Sequence, residues 1–120
     1  MKDVFSYGDH GSTFGGNPVC CAAALSILSR IDDALLKDVK AKSQLIFDTL
    51  QGAPGIESVS GLGLMIGIKT VKPASEVVAQ CMEKGVLCLT AKDKVRLLPA
   101  LNIPTDQLKA ALDVILSVCA

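Results

Sequence analysis

The stretch Ile56-Glu57-Ser58-Val59-Ser60-Gly61-Leu62-Gly63-Leu64-Met65-Ile66-Gly67-Ile68-Lys69-Thr70 decides the architecture. Leu64, Ile66 and Ile68 alternate with Met65, Gly67 and Lys69. That period of two belongs to a half-buried strand, in which successive side chains point to opposite faces. Ser60-Gly61 offers a turn inside the run, so the pattern predicts two antiparallel strands joined as a hairpin. A hairpin is marginal by itself and needs a layer against its apolar face.

The sequence on either side supplies that layer. Upstream, Leu36, Val39, Ile46 and Leu50 form one stripe of a helix behind Asp32 and Asp33, with Lys37, Asp38, Lys40, Lys42 and Asp48 on its wet side and Gly52 and Pro54 as the stop. Further upstream, Cys20, Ala24, Ile27, Leu28 and Ile31 recur at helical spacing. Asn17 suits the cap and Pro18 the first turn, which predicts a helix over 18–31. Downstream, Val77, Val78, Cys81 and Met82 predict a helix over 75–84 closed by Gly85 in a left-handed cap. Val86 to Leu89 and Lys94 to Leu98 read as two further short strands. Thr105 can cap a last helix, in which Leu108, Ala111, Leu112, Ile115, Leu116 and Cys119 fall on one face. The order predicts an α+β fold of two layers, a small, largely antiparallel sheet covered on one face by helices.

The 120 residues, 50% of them hydrophobic, suffice for one core. With only Phe5, Tyr7, Phe14 and Phe47 aromatic and no Trp, that core is aliphatic. Twelve basic residues against twelve acidic ones leave no net field for a nucleic acid or an anionic lipid surface. No apolar run approaches the roughly 20 residues of a membrane span, and Met1-Lys2-Asp3-Val4 has no secretory apolar stretch behind it. These features predict a cytoplasmic chain whose partners are neither nucleic acid nor membrane. Cys20, Cys21, Cys81, Cys88 and Cys119 form an odd set without Cys-x-x-Cys spacing. They predict buried, reduced thiols, with neither a disulfide framework nor a metal site.

Residues 1–17 carry no helical or strand periodicity. Within them, Gly8-Asp9-His10-Gly11-Ser12-Thr13-Phe14-Gly15-Gly16-Asn17-Pro18 combines two adjacent hydroxyls with glycines that let a backbone approach a ligand closely, and it leads into a helix N-terminus. The arrangement suits a phosphate. It is neither a Walker loop nor a dinucleotide fingerprint, and on the residues alone a plain flexible connection is the alternative. His10, the sole histidine, has no partner at a useful spacing, and it reads, like Asp9, as structural.

That loop, followed by Cys20-Cys21-Ala22-Ala23-Ala24-Leu25, resembles the segment beyond the cofactor-bonding lysine of class III pyridoxal-phosphate aminotransferases. Gly61-Leu62-Gly63-Leu64-Met65-Ile66-Gly67-Ile68 is similar to the family's glycine-punctuated strand, and Val95-Arg96-Leu97-Leu98-Pro99 to its arginine motif ahead of the last helix. Order and distances match along essentially the whole chain. The resemblance implies the C-terminal small domain of a fold-type I enzyme, excised from a longer protein. Residues 1–17 would be a phosphate-contacting loop packed on a missing large domain or a neighbouring subunit, and residues 18–120 the small domain itself.

The resemblance further implies that Ser12 and particularly Thr13 bind the phosphate of a pyridoxal 5'-phosphate held by the other subunit of a homodimer. Arg96 would form a bidentate pair with a substrate carboxylate. The lysine, ring-nitrogen carboxylate and stacking aromatic that such an enzyme needs lie, in that family, ahead of the region covered here, so no catalytic residue is assigned. The chain alone should be inactive and should not bind the cofactor. The likeness is greatest to the branch that exchanges an amino group between N-acetylornithine and 2-oxoglutarate in arginine biosynthesis, so small amino acids and 2-oxo acids are the implied substrates. Two departures bear on the delivery of Arg96: Lys92 stands where a glycine is frequent, and Ala100 stands where a second proline is common. A stand-alone amino-acid-binding or regulatory module of the same fold class is the alternative reading.

Overall fold

The computed structural model describes residues 4–120. Its elements run α1 (Pro18–Leu28), α2 (Asp33–Leu50), β1 (Ile56–Leu62), β2 (Met65–Thr70), α3 (Ala74–Glu83), β3 (Leu89–Ala91), β4 (Lys94–Leu97) and α4 (Thr105–Cys119). The described chain divides into two compact units, one ending at Asp32 and the other running from Asp33 to Ala120. The second unit is the α+β, two-layer arrangement that the pattern predicts.

Its sheet is antiparallel throughout, in the order β1-β2-β4-β3. Ile66 pairs with Leu97 and Ile68 with Val95, and all four are buried. They meet Val39, Ile46 and Leu50 of α2, Val77 and Cys81 of α3, and Leu108, Leu112 and Ile115 of α4 in one aliphatic core. Period two sends Ser60 of β1, Gly67 and Lys69 of β2, and Lys94 and Arg96 of β4 to the opposite face, which carries the candidate site.

The structure moves several expected boundaries. The hairpin turns at Gly63-Leu64, because Leu62 pairs with Met65, while Ser60 and Gly61 stay in the ladder opposite Gly67 and Ile66. Gly63 supplies the left-handed turn residue at φ 57°. Residue 86 belongs to the end of α3 and not to a strand: Gly85 lies at φ 83° and the Val86 amide donates to the Cys81 carbonyl at 2.8 Å. This closes the helix as expected but delays β3 to Leu89. Thr105 is the first residue of α4, with Pro104 before it and no side-chain cap. Helix α1 ends at Leu28, short of Ile31.

Lys42 is buried, contrary to its assignment to the wet side of α2. It falls on the same stripe as Val39 and Ile46, and its ammonium is paired to Asp38 one turn back. Cys81, Cys88 and Cys119 are buried free thiols, whereas Cys20 and Cys21 are free and exposed, because α1 has no buried residue. Among the described residues no helix is long and apolar enough to cross a membrane.

Candidate functional site

Ser12 and Thr13 lie in the first unit and Arg96 in the second. Around Ser12 and Thr13 the chain advances by successive turns. The Asp9 amide donates to the Ser6 carbonyl at 3.2 Å and the Gly15 amide to the Ser12 carbonyl at 3.3 Å, and the Asn17 amide donates to the Phe14 carbonyl at 3.2 Å. Asp9 accepts a 2.7 Å bond from the Ser6 amide, and the His10 ring lies 6.1 Å from that of Phe5. Both residues make local contacts within the loop.

One part of the expected anion site is already occupied. Asn17 Oδ1 accepts from the amides of Val19 and Cys20 at 3.0 and 3.3 Å. The Cys21 amide reaches the Asn17 carbonyl at 2.9 Å, and Pro18 has no amide hydrogen. The first-turn donors of α1 are therefore spent on its own cap. What remains for an anion are the side-chain hydroxyls of Ser12 and Thr13, both exposed and without a hydrogen-bond partner among the described residues. Two adjacent hydroxyl donors free of internal bonds fit a phosphate.

Arg96 sits on β4 with Gly67 directly opposite on β2 and Leu89 directly opposite on β3. It is half-buried, and its Nε is buried without a hydrogen-bond partner among the described residues. A buried guanidinium nitrogen left open in this way calls for an acceptor, since most such atoms are bonded. Arg96 is one of the residues lining a cleft of about 920 Å³, with Leu87, Leu89, Leu98, Ala111 and Val114 among the others. The apolar surroundings strengthen any charged hydrogen bond made there. Lys92, one of the two departures near this arginine, takes the left-handed conformation at φ 57° that a glycine would adopt freely. The turn it forms with Asp93 joins Ala91 to its partner Lys94, two residues ahead of Arg96.

Spacing did not single out Lys94, Ser60 or Gly67 as neighbours of Arg96. Lys94 Nζ donates to Ser60 Oγ at 2.9 Å, although β4 and β1 are separated by β2. A signal was available in part, since Lys94 precedes Arg96 by two and shares its face. Cys88 is pushed up to about 12, first by burial and then by neighbouring Cys81, and burial also raises Cys81 and Cys119. These thiols stay neutral and are poor nucleophiles. Among the described residues no group of three or more His, Cys, Asp or Glu side chains could hold a metal ion.

A family model described as aminotransferase class-III matches residues 1–119. The chain is 44% identical to an acetylornithine aminotransferase of Haemophilus ducreyi over 120 residues, covering 98% of this chain and 30% of that protein. A solved acetylornithine aminotransferase of Elizabethkingia anophelis superposes with a TM-score of 0.77 at 29% identity, over 98% of this chain and 32% of that one. An ornithine aminotransferase of Toxoplasma gondii, with partial occupancy of PLP at its active site, superposes with a TM-score of 0.77 at 28% identity, over 98% and 30%. The chain thus spans about 30% of the length of the curated relatives it matches.

Proposed function

The chain belongs to the class-III aminotransferases, and from that premise we propose that it forms the C-terminal, substrate-gripping part of a pyridoxal 5'-phosphate transaminase. The reaction is exchange of an amino group between N-acetylornithine and 2-oxoglutarate, as in arginine biosynthesis. The 44% identity to an acetylornithine aminotransferase supports that choice of donor.

The observation that carries the reading is Arg96, a guanidinium with a buried, open Nε on the wall of an apolar cleft. Its role is to bind a substrate carboxylate through paired charged hydrogen bonds, which orients the substrate within the cleft. Ser12 and Thr13 are the residues that would hold the cofactor phosphate, donating through their hydroxyls to the copy bound in the other subunit of a homodimer. The chemistry that pyridoxal phosphate supplies when bound is withdrawal of electrons from the carbon bearing the amino group. No lysine here is assigned to bond it.

In this reading residues 1–17 are a loop seated on a large domain or neighbouring subunit, and residues 18–120 are the small domain. Five free cysteines suit a reducing compartment, the cytoplasm. The match extends through the loop as well as the α+β body, and this favours the transaminase over a stand-alone amino-acid-binding module.

The test is Arg96→Ala in the full-length enzyme. KM for the carboxylate substrates should rise by a factor corresponding to about 2–5 kcal/mol of lost charged pairing. An unchanged KM removes Arg96 from the site. Transamination by the isolated 120 residues supplied with pyridoxal phosphate would overturn the assignment of the chain as one part of the enzyme.

A further inference from the structure

We infer that Lys94 is a positioning residue for Arg96, its stem lying across the open sheet face over Gly67 and closing the space into which the arginine would otherwise fold. The inference rests on the reading of Arg96 as the carboxylate anchor.

The geometry is a strap over three strands. Lys94 starts on β4, crosses β2, and donates from Nζ to Ser60 Oγ on β1 at 2.9 Å. The Ser60 hydroxyl passes its own hydrogen to the Gly67 carbonyl at 3.4 Å. Neighbouring strands lie about 4.8 Å apart, so a side chain spanning two intervals must run low over the middle strand. Gly67 permits this. A Cβ built there would lie 3.1 Å from Lys94 Cδ and 3.8 Å from Lys94 Cβ, the first contact tight enough that the stem would have to shift by a few tenths of an ångström.

Gly67 is also the residue directly opposite Arg96. A glycine in that position leaves a bare patch beside a long, flexible side chain. With the Lys94 stem in the patch, Arg96 is left the direction of its other cross-strand neighbour, Leu89, and of the cleft that both line. Restricting the arginine before substrate arrives lowers the ordering cost that binding would otherwise carry.

The choice of lysine is consistent with this role. A carboxylate at 94 would sit on the same face as Arg96 and neutralise it, whereas an ammonium bonded to the uncharged Ser60 leaves the guanidinium open. Lys69, directly opposite Lys94 on β2, would repel it. Instead Lys69 is engaged by Glu57 at 3.3 Å and Asp93 at 4.0 Å.

The experiment is steady-state kinetics of the full-length holoenzyme in Lys94→Ala, Lys94→Met and Arg96→Ala, with thermal melts of each. Lys94→Ala should raise KM for the carboxylate substrates about 3- to 10-fold, the scale of ordering one long side chain, with kcat within about twofold. Lys94→Met keeps the stem and should restore most of the loss. Gly67→Ala, which displaces the stem only slightly, should raise KM in the same direction but by less than Lys94→Ala. If Arg96→Ala raises KM and Lys94→Ala does not, the strap is refuted while the anchor stands. If Lys94→Met is as impaired as Lys94→Ala, charge and not the stem is responsible, and the inference is overturned. If Arg96→Ala itself leaves KM unchanged, the anchor reading fails first.

Discussion

Lys92 holds a backbone conformation, φ 57°, that costs an L-residue about 1 kcal/mol and a glycine almost nothing. It does so in the two-residue turn between β3 and β4, where the pairing of Ala91 with Lys94 fixes the register that places Arg96. Lys92→Gly should therefore stabilise the fold by about 0.5 kcal/mol, once the greater freedom of glycine in the unfolded chain is set against the relieved strain. A rise in the urea midpoint with unchanged slope is the expected result, and a fall would mean that Lys92 makes compensating contacts. Cys88 gives a second prediction. In the unfolded chain its thiol ionises near its ordinary 9.0, whereas burial holds it neutral to about 12. Its stabilising contribution is fully present below pH 9 and is lost as pH rises from 9 to 12, because over that window the unfolded state has released a proton the native state keeps. Cys81 and Cys119, raised by the same cause, act in the same direction. Between pH 7.5 and 10 the urea midpoint should fall more steeply in the wild type than in Cys88→Ala. Parallel slopes would remove this thiol from the pH dependence.

At the scale of elements, α4 and α1 were read from the same kind of spacing and met different environments. The stripe of α4 is core, with Leu108, Leu112 and Ile115 almost fully buried, while α1 buries nothing. Periodicity reports that a face is apolar, not what covers it, and Pro-Val-Cys-Cys-Ala-Ala-Ala-Leu-Ser-Ile-Leu is apolar nearly all round. Glycine was ambiguous for a related reason. Gly61 can be taken for a turn, yet it is paired with Ile66 in the ladder, and a glycine is required there because a Cβ would lie 2.2 Å from the Met65 carbonyl oxygen. The turn residue is Gly63, another glycine two positions on. Lys42 was assigned by charge alone, although its methylenes fit the apolar stripe as well as a leucine would. The α+β order and the presence of the four helices were legible because they depend on neighbours along the chain, although α1 stops three residues short of the spacing that predicts it. The Lys94 strap was not, since it joins β4 to β1, and only the sheet order shows that β2 and its Gly67 lie beneath it.

For the whole molecule, the division at Asp32 makes stability and solubility separate questions. Every buried apolar residue from Val39 to Cys119 belongs to the second unit. Its last helix is tied in at the C-terminal end by Lys72, whose Nζ donates to the Val118 carbonyl at 2.7 Å, and by Gly55, where a Cβ would lie 1.9 Å from the Cys119 carbonyl oxygen. Among the described residues the first unit contributes no buried side chain but exposes Val19, Leu25, Ile27 and Leu28 on α1. Exposed apolar side chains gathered on one short helix favour association in water. Residues 33–120 expressed alone should accordingly unfold cooperatively with a Tm within about 4 °C of the 120-residue chain, a difference of under about 1 kcal/mol for a domain of this size. They should also elute from a sizing column as a smaller species than the longer chain at equal concentration. Loss of the cooperative transition would place part of the first unit in the core. Unchanged self-association would move the sticky surface from α1 to the second unit, where Leu87, Leu89 and Leu98 around the Arg96 cleft are the next exposed apolar cluster.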